Sequence, residues 1–414
     1  MIKLTQNITV VILSAFLLWR GIIPALTKVD TDFPNYYTAS RLILDGRDIS
    51  RIYDESWFQD QINVYGIKQE GKFSPFPPVT AFIMLPLALL TPDNALRIWT
   101  IFNIATLVLS IIFLAKSTNK SWLWTCLIFL VNGIALSNNF RFGQFYLVLT
   151  FLMLLGYYFL LRGYPSCAGV MIGLGAAFKY LPIVLLLLLF VRKEWSGILT
   201  TLLTIAVLYA FGLMIFGLEV YKHFFTFVLP EHLSGQIQNP FSSVFQSWDS
   251  LLRKIFIYDA TVNPSPLFHS AAGFIIAKFS LIIIIVSISV VIFVRTEKIR
   301  ADNVLAVQYA LLIVTAMVLL PASATYHFLL LVVPVGILLS IEQQWNTFHT
   351  LLLGCYLVIG FMPYKIFGAF EGQGMLIVLS YSRLWTVTLM FIVTIGYVWN
   401  LTRREELRLI SELT

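Results

Sequence analysis

The feature that most constrains this chain is a succession of thirteen apolar runs. They lie near 8–24, 76–90, 97–115, 121–137, 144–161, 166–178, 182–191, 195–217, 268–294, 303–320, 327–341, 349–362 and 375–399. A helix needs about 20 mostly apolar residues to cross a bilayer, and most of these runs approach that length. The composition agrees: 58% of the 414 residues are hydrophobic and only 12% are charged. Soluble domains carry about 25% charge, so a soluble fold of this length could not cover its apolar residues. Disorder is excluded by the same numbers, because 15% of the residues are aromatic. The chain reads as an all-α polytopic membrane protein, and nucleic acid is excluded as a partner. Its formal charge of +7 then serves mainly as an orientation signal.

Cysteine chemistry contributes little. Cys126, Cys167 and Cys355 all fall inside apolar runs, so the loops carry no disulfide framework and no thiolate metal site. Lys3 precedes the first run in the manner of a signal peptide, but no convincing small-residue cleavage pattern follows. A retained first helix is expected.

Basic residues in short connections belong on the cytoplasmic side. They are Lys3, Lys116 with Lys120, Arg162, Arg192 with Lys193, Arg295 with Lys298 and Arg300, and Arg403 with Arg404 and Arg408. Between such groups the chain must cross an even number of times. Every interval obeys this except Lys3 to Lys116, which holds three runs. The run at 76–90 is the weak one, about 22 Å long as a helix and introduced by Pro75, Pro77 and Pro78. It is expected to dip into the membrane or lie on it. About twelve transmembrane helices remain, with both termini cytoplasmic. The short runs 166–178 and 182–191, with Gly169, Gly173, Gly175 and Pro182, read as half-length helices meeting at Lys179. Broken helices need protein or a water-filled cavity around them.

This topology leaves the whole of 1–414 as one membrane domain with two long outer segments, 25–96 and 218–267, which are expected to carry short interfacial helices. The first holds Asp30 and Asp32 directly after the first helix, where partial desolvation suits a general base. As plain loop acids they would merely keep the segment hydrated. Arg20, Lys179, Lys278 and Arg383 are cations within or beside apolar runs, in the outer half or near the midplane. Such charges are costly in a membrane and suit an anionic lipid head group, with snorkelling to the interface as the alternative. On the same outer face fall Asn138 to Gln144, which includes Arg141 and is expected to close an outer turn, the stretch Gln238 to Ser243 with Asn239, and His327. The acids of the first segment show no metal-ligand spacing, and no nucleotide-binding motif occurs in a suitable context. No cofactor is expected.

Several segments in order resemble a known family. They are Asp32-Phe33 with Tyr36-Tyr37 and Ala39, Leu44-Asp45-Gly46, Ile52-Tyr53-Asp54, Phe76-Pro77-Pro78, Leu85-Pro86-Leu87, Ala95 with Trp99, Gly143-Gln144, and Ala168-Gly169 leading to Gly173, Lys179 and Pro182. The succession resembles glycosyltransferase family 87, polyprenyl-phosphate-mannose-dependent enzymes of the C-type glycosyltransferase superfamily. It covers most of residues 1–195. Later it rests on Asn239, Ser242, Arg253 and His327, with Pro240-Phe241 interrupting the family's Asn-Gln-Ser run. The resemblance implies a hexose, such as mannose, moved from a polyprenyl-phosphate donor to a glycan or glycolipid acceptor outside a plasma membrane, with inversion. Asp32 matches the catalytic base, with Asp30 as fallback. Lys179, Arg41 and His327 are candidates for the donor phosphate, followed by Arg20 and Arg141. Tyr36, Tyr37, Gln144 and Asn239 are candidates for sugar or acceptor. A transporter or flippase of an anionic lipid-linked substrate is the rival expectation, since broken helices and intramembrane cations suit it equally.

Overall fold

A computed structural model describes residues 2–299, 301–342 and 344–413. Arg300, one of the basic flanking residues, lies outside them. Among the described residues all regular structure is helical, and the one β pairing is an isolated bridge between Asp259 and Asn263. Five helices are long and apolar enough to cross a membrane: Leu4–Thr27, Pro92–Thr118, Trp195–Leu233, Ala271–Lys298 and Gly374–Arg408. The pair Trp122–Val131 and Gly133–Arg141, bent by 77° at its break, makes a sixth if counted as one span. Shorter apolar helices cover Tyr146–Leu161, Pro165–Phe178, Leu181–Val191, Asn303–Leu319, Thr325–Ile341 and Thr347–Phe361.

Local chemistry explains where these elements stop. The 76–90 run forms no spanning helix: a single 3-10 turn covers Pro78–Phe82, and further turns continue to Leu90. Prolines at 75, 77 and 78 lack the N–H groups that would extend a helix. The stretch at 138–143, expected as a turn, stays helical to Arg141 and ends at Gly143, whose φ of +62° suits glycine after a helix. The Trp195 helix breaks at Gly217 (φ 76°, ψ 167°) and resumes, so helix extends into the second long outer segment as far as Leu233. The first outer segment carries the helices Phe33–Leu44 and Glu55–Val64. Asp54 caps the latter. Its bonds from Arg51, the Trp57 N–H and Ser56 hold this exposed carboxyl well below its ordinary range.

The chain divides into two compact units, Met1–Ser117 with Ser121–Leu233, and Thr118–Lys120 with Ser234–Thr414. In the second unit, the helix Trp248–Phe256 packs Leu251 into a cluster with Ile377, Tyr381 and Leu384. Its buried Asp249 accepts from Arg253 (2.7 Å) and from Lys278. Lys278, one of the membrane cations considered for a head group, is therefore committed to a carboxylate.

In the first unit, Pro165–Phe178 packs tightly against Trp195–His223. A Cβ at Gly169 would lie 2.2 Å from both Gly197 O and Thr200 Oγ1, and one at Gly173 would lie 2.8 Å from Thr201 O. Thr201 Oγ1 donates to Gly169 O across this contact at 3.0 Å. Small residues four apart thus let the two backbones meet, as in other membrane helix pairs. The contact fixes the helix whose far end presents Lys179. Gly169→Val should force the helices apart and destabilise the unit by at least about 1–3 kcal/mol. A melting temperature in detergent equal to wild type would show that the contact is dispensable.

Candidate functional site

The site begins where the first helix hands over to Phe33–Leu44. The Phe33 N–H bonds to Thr31 O at 2.9 Å, closing a three-residue turn around Asp32. Asp32 itself has φ 70° and ψ −43°, the γ-turn geometry that is rare and strained for an L-residue. The other non-glycine residues described with positive φ are Asn119 and Lys193. Asp32 precedes the helix, yet its side chain makes no capping bond to it. Strain of this kind persists only when the surroundings over-determine it, and it gathers at functional sites.

Three contacts from one short stretch supply that determination. Arg141 Nε donates to Asp30 Oδ2 at 2.7 Å, just before the turn. Gly143 lies against Phe33, just after it; a Cβ on Gly143 would come within 2.8 Å of Phe33 Cβ. Gln144 Oε1 accepts from the Tyr36 hydroxyl at 2.8 Å, one helical turn further on. The stretch is itself anchored, because Trp99 Nε1 donates to Gly143 O (3.0 Å) and Asn139 Oδ1 accepts from Leu147 N (2.9 Å). Pro34 presets φ in the first turn of the Phe33 helix.

Lys179 forms the opposite wall. It leaves the Pro165–Phe178 helix in an extended conformation, at the end whose carbonyl dipoles favour a cation. Nζ donates to Tyr36 Oη at 3.0 Å, so Lys179, Tyr36 and Gln144 form one hydrogen-bonded chain. Aromatic rings enclose the ammonium: Phe76 at 3.8 Å from its centroid, Tyr146 at 5.2 Å and Tyr36 at 5.3 Å. Cation–π attraction compensates part of the lost hydration. Burial still pushes this lysine, which lies between the apolar helices, down to about 7, with the Asp32 carboxylate opposing the shift. Burial also raises the Tyr36 phenol well above its usual range. The junction is tied down by Tyr180 Oη to Pro75 O (2.6 Å), Thr80 Oγ1 to Phe178 O (3.2 Å) and Tyr53 Oη to Phe76 O (2.7 Å). Chemically, the arrangement offers a carboxylate as proton acceptor in electrostatic reach of an ammonium able to hold an anion.

Other candidate residues have different settings. Asp30 is engaged with Arg141, so that both position the turn. Arg41 lies about 13 Å along the helix axis from Asp32 and bonds Asp45 (3.2 Å) and Ala88 O (2.8 Å). Tyr37 donates to Leu90 O at 2.6 Å. Arg20 lies in the π-helical turn Leu18–Ile22, with Nε enclosed and without a hydrogen-bond partner. Asn239 and His327 belong to the second unit. There Asn239 Oδ1 accepts from Phe241 N (3.1 Å), and His327 Nδ1 accepts from Ala324 N (3.2 Å), leaving the ring proton on Nε2. Sequence reasoning gave no role to Phe76 and Tyr146, the rings closest to Lys179. Phe76 stood in the Phe-Pro-Pro run, but nothing in its spacing joined it to a lysine about a hundred residues later.

Gly143→Ala combines positive φ with a steric conflict at Phe33. It should cost at least about 1–2 kcal/mol and lower the melting temperature in detergent. An unchanged melting temperature would mean that the Phe33 turn is not held from this side.

Comparison with known proteins adds one match: the family described as Glycosyltransferase family 87 matches residues 75–321, more than half of the chain. The matched stretch contains Arg141, Gln144, Lys179 and Asn239; Asp30, Asp32, Tyr36, Tyr37, Arg20 and Arg41 precede it and His327 follows it. No curated protein and no solved structure matches the chain.

Proposed function

The chain belongs to glycosyltransferase family 87, and from that premise we propose that it moves a hexose from a polyprenyl-phosphate donor to a glycan or glycolipid acceptor, with Asp32 as general base. As a membrane glycosyltransferase it acts on a donor and an acceptor in a lipid environment. The observation that carries the finer reading is Asp32 at the apex of a strained turn, in electrostatic reach of a caged ammonium. The five long helices, the bent pair and the six shorter apolar helices make twelve candidate crossings in this reading. Asp32 and Lys179 then face the outside of the plasma membrane, and the fold is of the C type.

In the proposed reaction Asp32 takes the proton of an acceptor hydroxyl as its oxygen attacks the anomeric carbon. The new C–O bond forms opposite the breaking bond to phosphate oxygen, so the configuration inverts. Polyprenyl phosphate departs with the electron pair, and fixed cations stabilise the charge it gains. Lys179 is the leading candidate for that role. Arg141 and Arg41 support the reading less directly, since both are held in structural contacts. Tyr36 and Gln144 orient Lys179, and Tyr37 is the candidate for the sugar or the acceptor on the same helix as Asp32's turn. Mannose is the hexose to test first.

Asp32→Asn should lower transfer from a synthetic polyprenyl-phosphate mannose by about 10²–10⁴-fold, the usual contribution of a general base, while donor binding persists. Full activity in this variant would refute the base assignment.

Lys179 gives the phosphate role a pH signature. A bound phosphodiester stabilises the ammonium and raises its pKa above the value near 7 of the empty site. Binding above pH 7 therefore takes up a proton, and donor affinity should fall by up to about tenfold per pH unit as pH rises. Lys179→Met should flatten the profile. A wild-type dissociation constant that does not change between pH 6.5 and 8.5 would exclude Lys179 from the phosphate.

A further inference from the structure

In the second unit the helices Thr347–Phe361 and Ser382–Leu413 border a cavity of about 330 Å³ that takes no part in the proposed reaction. The last helix lines it at Val393, Gly396, Tyr397 and Asn400, three or four residues apart and so on one face. Phe348 and Leu351 line it from the other helix. At Gly396 the space is open, since a Cβ there would meet no atom within 4 Å. Tyr397 is only 6% exposed, and its hydroxyl is enclosed without a hydrogen-bond partner among the described residues. Its ring lies flat on that of Phe348, with centroids 3.7 Å apart, which holds the hydroxyl in place. A buried hydroxyl without a bond is unfavourable, and a polar ligand group beside Tyr397 would relieve this.

The cavity is polar at one end and apolar at the other. Asn400 is followed one turn later by Arg404, which also lines it. Arg404 pairs with Glu342 at 3.3 Å, and Glu342 accepts as well from the Asn346 amide. This end therefore presents amides and a neutralised ion pair, which exchange hydrogen bonds with hydroxyl groups and favour neither an anion nor a cation. Toward the other end lie Val393, inside the segment Gly374–Arg408 that is apolar enough to cross a membrane, and Leu351, which is 48% exposed. The volume is at the lower limit for a ligand pocket, so it holds a head group and little of a chain.

We propose that this cavity binds an uncharged, hydroxyl-bearing membrane lipid of the diacylglycerol type. Its hydroxyl bonds that of Tyr397, and its chains leave past Leu351 and Val393 into the hydrocarbon. The balanced Glu342–Arg404 pair gives a charged head no advantage. Arg403, Arg404 and Arg408 put this end on the cytoplasmic side in the expected orientation, so the lipid enters from the inner leaflet. The proposal goes beyond the transferase reading and does not depend on it.

The test is photolabelling of the full-length protein in nanodiscs by a diacylglycerol with a diazirine on one acyl chain, the labelled peptides being mapped by mass spectrometry. Labelling should concentrate on peptides that contain Leu351 or Val393 to Asn400, and unlabelled dioleoylglycerol should compete it away. Gly396→Leu fills the open space with a better helix former, so it should abolish this labelling without lowering the melting temperature. Tyr397→Phe keeps the ring contact and removes the hydroxyl, and should weaken labelling about fivefold, the effect of one hydrogen bond. It serves alone if Gly396→Leu does not fold. Labelling spread evenly over the apolar helices, or unchanged in whichever variant folds, overturns the proposal. Equal labelling of these peptides by phosphatidic acid with the same chains overturns the assignment to an uncharged head.

Discussion

The stretch from Arg141 to Gln144 holds the entry to the Phe33–Leu44 helix at three successive points, and the geometry around Asp32 depends on it. An ion pair fixes Asp30, a glycine contact fixes Phe33, and a hydrogen bond fixes Tyr36. Between the first two lies the γ-turn at Asp32. A strained turn at the rim of a membrane protein would relax if either flank were mobile. Here the restraints are of different physical kinds, and the stretch that provides them is anchored by Trp99 and Asn139. The backbone strain at Asp32 is offset by bonds made on either side of it.

The second dependence is the burial of Lys179. An ammonium ringed by Phe76, Tyr146 and Tyr36 has few of the hydrogen bonds it would have in water, and its lowered pKa expresses that loss. The same enclosure strengthens any interaction with an anion, since little water screens it. The lysine thus responds to the charge of a ligand more sharply than a surface lysine would. The second unit treats its cations in contrasting ways: Lys278 and Arg253 share Asp249, whereas Arg383 is held by the Thr325 hydroxyl and the Met362 carbonyl.

Sequence reasoning read the helical class well, because hydrocarbon length and the need to satisfy every peptide group leave few options. It also read the weakness of 76–90 and the break at Lys179 from their prolines and glycines. It fared less well where side chains decide an ending. Asn138 to Arg141 read as a turn because polar residues interrupt an apolar run, yet the helix continues through them. Candidate residues separated in the same manner. Arg41 and Tyr37 share a helix with Tyr36, but each bonds backbone carbonyls near the far end of the segment.

What the sequence by itself determined is the helical membrane architecture and the family, because apolar length, charge spacing and ordered motifs are properties of the chain read in one dimension. The tertiary structure alone decided which polar residues meet. Asp30 joins Arg141, and Tyr36 joins Gln144 and Lys179, across more than a hundred residues of chain. Such pairings arise from close helix contacts and from the demand that buried polar groups be satisfied. Neither leaves a periodic mark in sequence. The strain at Asp32 belongs to the same class, since it is a backbone angle imposed by its neighbours in space.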